Sequence, residues 1–220
     1  MSHRILLVAA LAAGLVATPA CAQHLAVSLR GGGAVPFGSF AAEVAGSGSE
    51  AFVSGAGNGF GYGLDASFSV GAVGVYAGFD QVAFGCESAQ CARSAKYRMG
   101  GVSLGVRLAP AAGGSFAPWL RAGITFHELR GEYGEGASAR KLTSDRAPGY
   151  EFAAGVDVPL AGVLALSPQV RYVGQNLRYR VPGVQTPEAA ERGVGYLKLD
   201  LGLSFRSALG GSASRLHAAR

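Results

Sequence analysis

The sequence predicts an all-β protein, an eight-stranded antiparallel up-and-down β-barrel that crosses a membrane. Three observations carry this prediction. Apolar and polar residues alternate with a period of two in eight segments between positions 24 and 205. The connections between these segments are alternately long and short. One face of most segments is apolar, whereas the other is narrow and rich in Gly, Ser and Ala.

The composition excludes several other classes of protein. Of the 220 residues, 35 are Gly, 49% are hydrophobic and 15% are charged. A chain this apolar does not stay disordered, and its glycines lack the three-residue period of collagen. A typical soluble enzyme would carry about 25% charged residues. After residue 22 no apolar run reaches the ~18 residues of a membrane helix, and no basic stretch is interleaved with aromatic residues, so no nucleic-acid partner is predicted.

Residues 1–22 have the pattern of a secretory signal peptide. Arg4 forms a positive n-region, Ile5–Val16 an apolar h-region, and Ala20-Cys21-Ala22 a small-x-small cleavage site. We expect cleavage before Gln23. In the alternative, the cysteine of that site is the lipidated first residue of a lipoprotein. This is disfavoured because threonine stands where such signals usually have Leu.

The last of the eight segments shows the alternation most clearly. One face of this segment is apolar and consists of Leu197, Leu199, Leu201, Leu203 and Phe205. The opposite face consists of Lys198, Asp200, Gly202 and Ser204. The same pattern predicts the other strands over about 25–33, 60–70, 73–84, 97–109, 119–127, 150–158 and 163–178. The predicted domains are therefore a signal peptide (1–22), a barrel (23–205) and a short tail (206–220).

The connections predict an up-and-down meander with one elaborated end. Long connections cover about 34–58, 85–95, 131–147 and 179–192, and short turns lie near 71–72, 110–115 and 160–162. Closing the meander into a barrel removes its unpaired edges. Function in a small barrel is expected in its loops. The first long connection carries Phe37, Phe40 and Phe52. The third carries charges, including Lys141 and Arg146, that are either solvated or contact lipopolysaccharide or another surface.

The environment of the barrel depends on which face points inward. A soluble barrel buries its apolar face, whereas a membrane barrel exposes that face to lipid. The strands match the roughly 9–11 tilted residues that cross a bilayer. Aromatic residues near strand ends predict two interfacial girdles: Phe60, Tyr62, Tyr97, Phe126, Tyr150, Phe152 and Tyr172 at the long-connection end, and Phe68, Trp119 and Phe205 at the other. We therefore expect a location in the outer membrane of a Gram-negative-type bacterium.

Ten charged residues are expected on the inward face. They are Arg30, Arg107, Arg121, Arg171 and Lys198, against Asp65, Asp80, Glu151, Asp157 and Asp200. Buried charges must be paired, and the interior of an eight-stranded barrel is just wide enough for side chains. The sequence thus predicts a lumen charge network that plugs the barrel. A gated proton or ion path along the same residues is the alternative.

Two cysteines follow the signal peptide, Cys86 and Cys91. An even number in an exported chain predicts a disulfide, which here would stiffen one long connection. A metal site would need further Cys or His ligands, and none lie nearby in the sequence. No metal and no cofactor is predicted.

The signal peptide, the eight alternating strands, the long–short connections and the aromatic end of the last strand together resemble a known family. It is the small outer-membrane β-barrel family of OmpA transmembrane-domain, OmpX and opacity-protein type, and the resemblance covers 23–205. Leu201–Phe205 is similar to the terminal signal that the barrel-assembly machinery reads, although here a 15-residue tail follows it. The resemblance implies outer-membrane lipid, lipopolysaccharide and the barrel-assembly machinery as partners.

Catalytic residues are not predicted. Lipid A deacylase-type barrels carry a His-x-Ser-Asn element on a late strand, and the comparable stretch 171–176 has neither His nor Ser. His127 is interpreted as a hydrogen-bonded lumen residue, because Glu128 has the opposite parity. We expect a non-enzymatic barrel with a structural or surface-interaction role. The alternatives are an enzyme of lipid A deacylase type and a soluble periplasmic ligand-binding barrel.

Overall fold

The computed structural model describes residues 23–43, 53–87, 96–109, 116–133, 140–180 and 190–209. These ranges contain nine strands: β1 (Gln23–Phe37), β2 (Ala56–Val70), β3 (Val73–Cys86), β4 (Lys96–Leu108), β5 (Ala117–Tyr133), β6 (Arg140–Ser144), β7 (Ala147–Ala161), β8 (Leu164–Arg180) and β9 (Ala190–Leu209). Within them no helix is long and apolar enough to cross a membrane. The predicted signal peptide, Phe52 and Cys91 lie outside the described residues.

The strands form one closed antiparallel ring. β1 pairs with both β2 and β9. Because β6 and β7 each pair with β5 and β8, they occupy a single position in the ring, interrupted at Asp145–Arg146. The ring therefore has eight positions, which confirms the predicted fold class.

The register of the ring gives the stagger of a barrel with tilted strands. A path around the ring goes from each residue to its register partner on the next strand. Starting on β1, it passes through Ala26, Ser67, Tyr76, Gly105, Gly123, Glu151, Val173, Tyr196 and Pro36. The path returns to β1 displaced by 36 − 26 = 10 residues. Such a displacement is required when tilted strands close into a barrel.

The connections follow the predicted alternation, with three differences in extent. The short turns place Gly71 and Gly162 at φ 61° and 55°, where glycine is favoured because it lacks a Cβ. The expectation of a polar loop over 131–147 is wrong for most of that stretch, because the β5–β6 hairpin continues the wall there. At the seam, β1 extends to Phe37 rather than ending at 33, and β9 runs past Phe205 to Leu209.

The outer surface is apolar and the inner surface is polar along most of each strand. Phe60 and Leu199 are 65% and 63% exposed on the outside, whereas Lys198 is fully buried inside. Two residues predicted for the aromatic girdles are placed wrongly. Tyr97 and Trp119 are buried, since they share strand parity with the inward Met99 and Arg121. An apolar exterior of this extent is unfavourable in water and suits lipid.

Candidate functional site

Asp80 lies at the centre of the lumen charge network. This β3 carboxylate accepts a hydrogen bond from Lys198 Nζ at 3.0 Å and pairs with Arg171. Arg30 Nη2 lies 3.5 Å from it. All four side chains are at most 2% exposed. One carboxylate thus binds cations from β1, β8 and β9 across the lumen.

Further carboxylates extend the network around the lumen. Glu151 lies 3.3 Å from Arg171 Nη1 and 3.2 Å from Arg121 Nε, and it accepts a hydrogen bond from the Tyr76 hydroxyl at 2.6 Å. Arg121 also reaches Asp65, at 3.2 Å. Tyr76 was not predicted, although its inward parity on β3 is visible in the sequence.

The network is completed on the β1 side. Asp65 pairs with Arg30, and Asp200 lies 3.6 Å from Arg30 and 3.1 Å from Lys198. Eight charges are connected in this way, four positive and four negative: Arg30, Arg121, Arg171, Lys198, Asp65, Asp80, Glu151 and Asp200. Their equal numbers allow complete pairing in a closed interior.

A second cluster lies nearer the short turns. Asp157 pairs with Arg107 and with Arg206, and it accepts hydrogen bonds from Trp119 Nε1 at 3.0 Å and from Ser167 at 2.5 Å. Arg206 was expected in the tail. It joins the cluster because β9 continues beyond Phe205. The two clusters together therefore hold six cations against five carboxylates among the described side chains.

Glycines on the wall make room for these side chains. A Cβ on Gly63 would lie 2.8 Å from the Arg30 guanidinium, and one on Gly123 would overlap the hydroxyl of Tyr76. At these inward positions glycine is required by the close approach of another side chain.

An apolar plug fills the lumen at the long-connection end and was not predicted. It is built from Ala34, Phe40, Val53, Ala56, Val82, Phe84, Tyr97, Met99, Leu129, Leu142, Val173, Leu177, Tyr179, Val194 and Tyr196. Phe40 belongs to the connection after β1 and packs edge-on against Phe84 and Tyr97, with ring centroids 5.2 and 5.6 Å apart. The sequence does carry a signal for this plug. Toward the long-connection end, the inward positions of the strands change from glycine and charged residues to large apolar residues.

His127 lies between the plug and the charge network. It is 1% exposed, and neither ring nitrogen has a hydrogen-bond partner among the described residues. His127 thus lies in the lumen, as predicted. The hydrogen bond predicted for it is not found among the residues that the structure describes. Within the described ranges no three or more His, Cys, Asp and Glu side chains are grouped to hold a metal.

Cys86 ends β3, beside the plug. Its sulfur lies 3.7 Å from the Tyr97 hydroxyl and 4.0 Å from the Ser54 carbonyl oxygen. Because Cys91 is outside the described residues, the Cys86–Cys91 disulfide stays a prediction.

A closed ring with an apolar exterior and a charged interior agrees with a family model that matches the sequence. That model is the outer membrane protein beta-barrel domain, and it matches residues 8–196. The chain belongs to this family. It is an outer-membrane β-barrel, which rules out the soluble periplasmic alternative. No curated protein matches the sequence.

Solved outer-membrane β-barrels have the same fold. The Neisserial surface protein A structure matches with a TM-score of 0.52 and 13% identity, over 84% of this chain and 97% of that one. AlkL in lipid bilayers has a TM-score of 0.52 and 15% identity, over 89% and 96%. A major outer membrane protein of Thermus thermophilus has a TM-score of 0.50 and 14% identity, over 84% and 99%. At these identities the likeness concerns the fold alone.

Proposed function

We propose that this outer-membrane β-barrel is a non-enzymatic, non-conducting protein with a structural or surface-interaction role at the outer leaflet. The observation that carries the proposal is the filling of the lumen at two levels. At the level of the apolar exterior it holds the paired charges, and above them it holds the apolar plug. The side chains at both levels are buried, as Lys198 and Arg171 are among the charges and Phe40 and Leu129 are in the plug.

The position of His127 supports the absence of enzymatic activity. The side chain is buried within the barrel, out of reach of lipid substrates. Its neighbour Glu128 points to the opposite face and pairs with Arg130. The partners proposed for the barrel are outer-membrane lipid and lipopolysaccharide, with the barrel-assembly machinery acting during insertion.

Reconstitution tests the proposal. Planar bilayers containing the folded barrel, verified by its heat-modifiable migration, are expected to show no discrete conductance steps, whereas an open porin in the same bilayers shows them. Lipid A extracted from cells overproducing the protein is expected to be unaltered by mass spectrometry. Regular conductance steps would contradict the closed lumen, and a new lipid A species would establish the deacylase-type alternative.

A further inference from the structure

The outer surface of β4, β5 and β6 carries a group of positive charges at the long-connection end. We name it the cationic face and define it as Lys96, Arg98, Arg130, Lys141 and Arg146, all exposed. Four of them line a groove of about 320 Å³ together with Glu128 and Thr143. The four cations that line the groove are on the outer side of the wall, whereas the lumen charge network is buried inside it.

The register of the cationic face places like charges directly opposite each other. Arg98 on β4 pairs with Arg130 on β5. Directly opposed like charges destabilise a sheet. Glu128, 2.7 Å from Arg130 and 4.0 Å from Arg146, neutralises only part of the charge. Glu132 stands in register with both Lys96 and Lys141. The five cations thus outnumber the acidic residues that neighbour them in the sequence or the sheet register, Glu128, Glu132 and Asp145.

The neighbouring ladder of β8 and β9, in which β8 pairs with β6, shows a different arrangement. On β8 and β9, Arg178 stands in register with Glu191 and pairs with it. The exposed cation of this ladder among the described side chains, Arg178, thus has its own carboxylate. Among the described side chains the excess of positive charge therefore lies on β4–β6, and an anion between Arg98 and Arg130 would remove the repulsion between them.

The height of the cationic face on the barrel places it beside the lipid headgroups. Going up the outer side of β5, the apolar Ile124 and Phe126 are followed directly by Glu128 and Arg130. On β4 the apolar Val102 lies just below Arg98 in the same way. The positive charges begin where the apolar exterior ends. In a membrane this is the level of the lipid headgroups.

We propose that the cationic face binds the phosphate groups of a phosphorylated glycolipid of the outer leaflet. Arg98 and Arg130 present paired N–H groups that suit phosphate oxygens, while Lys96 and Lys141 add point charges. The acyl chains of the same lipid lie against the apolar residues below. The proposal rests on the surface-interaction role proposed above and gives it a ligand class and a place.

Binding of lipid A to the barrel in phosphatidylethanolamine nanodiscs tests this assignment, with EDTA present to remove bridging divalent cations. Near a membrane surface each lost cation weakens anion binding about fivefold. Arg98→Gln/Arg130→Gln is therefore expected to lower lipid A affinity about 25-fold. The matched control, Arg178→Gln, lies at the same end of the barrel and is expected to change it less than about twofold.

The stability of Arg98→Glu gives a second readout. This substitution replaces the Arg98–Arg130 repulsion with an attractive pair, so the unfolding midpoint should rise without lipid A. Added lipid A should then stabilise the variant less than it stabilises the wild type. Heat-modifiable migration shows that each variant is folded.

Three results would overturn the proposal. They are equal lipid A affinity in the double variant and the wild type, equal binding of dephosphorylated lipid A, and equally tight binding of a soluble sulfated oligosaccharide in the absence of lipid A. The last would assign the face to an external polyanion. None of these three binding results depends on the conductance of the barrel or on covalent modification of lipid A. The lipid-binding proposal and the proposed function can therefore be refuted independently of each other.

Discussion

Replacing Asp80 with Asn tests the lumen charge network at its centre. The carboxylate binds Arg30, Arg171 and Lys198, and all of these side chains are at most 2% exposed. The substitution keeps the side-chain shape but leaves four cations against three carboxylates in the connected set. Removing one partner of a buried ion pair costs about 3–5 kcal/mol. We expect a loss of about this size in the free energy of unfolding.

Urea unfolding in lipid vesicles measures this loss, followed by gel migration and by the fluorescence of Trp119, the single tryptophan. Asp145→Asn removes an exposed carboxylate and should change stability by less than about 0.5 kcal/mol. Adding Lys198→Met to Asp80→Asn restores equal charge numbers, so the double variant should be more stable than the sum of the single effects by about 1–3 kcal/mol. An Asp80→Asn barrel within about 1 kcal/mol of the wild type would refute the reasoning.

Three other substitutions test the wall, the second charge cluster and the plug. Gly101→Ala should prevent or strongly slow folding because its Cβ would overlap a β5 carbonyl oxygen, whereas Gly33→Ala, with no atom within 4 Å of its Cβ, should fold normally in the same gel assay. Trp119→Phe removes the N–H that donates to Asp157 at 3.0 Å and should cost about 1.5–3 kcal/mol in urea unfolding followed by gel migration, since the variant has no tryptophan; no change would mean that this bond adds nothing. Phe40→Ala should cost about 3–5 kcal/mol yet leave bilayers without conductance steps, since the charges below remain paired; steps would show that the plug alone closes the lumen.

The wall of the barrel was predictable because one physical constraint acts on every strand. Lipid outside and a narrow interior force alternate residues to differ, so the inward set including Asp80 and Lys198 follows from parity alone. The position at which β9 ends could not be predicted from this alternation. The alternation weakens after Phe205, and Arg206 lies inside only because β9 continues to pair with β1 as far as Leu209.

The partners within the site were less predictable than its members. Parity places Glu151 and Arg171 inside, but which cation meets which carboxylate depends on the ten-residue stagger of the ring. The plug was missed for a different reason. Phe40 lies in a connection without period-two alternation, and its burial depends on a chain segment that folds back into the mouth of the barrel, as shown by the hydrogen bond from Ala56 N to the Phe40 carbonyl oxygen at 3.0 Å.

The position of Arg30 has a consequence for how the barrel inserts. From β1 this side chain reaches carboxylates on β2, β3 and β9. Before β1 and β9 meet, Arg30 has its neighbours on β2 and β3 but lacks Asp200 of β9, and Asp80 lacks Lys198 of β9. The charges left unpaired would face lipid or water, at a cost that buried pairing removes only after the seam closes. Insertion is therefore expected to be cooperative. A sheet with its seam open holds pairs between neighbouring strands, such as Arg30–Asp65 and Arg171–Glu151, whereas the pairs from β9 to Arg30 and Asp80 form in the closing step.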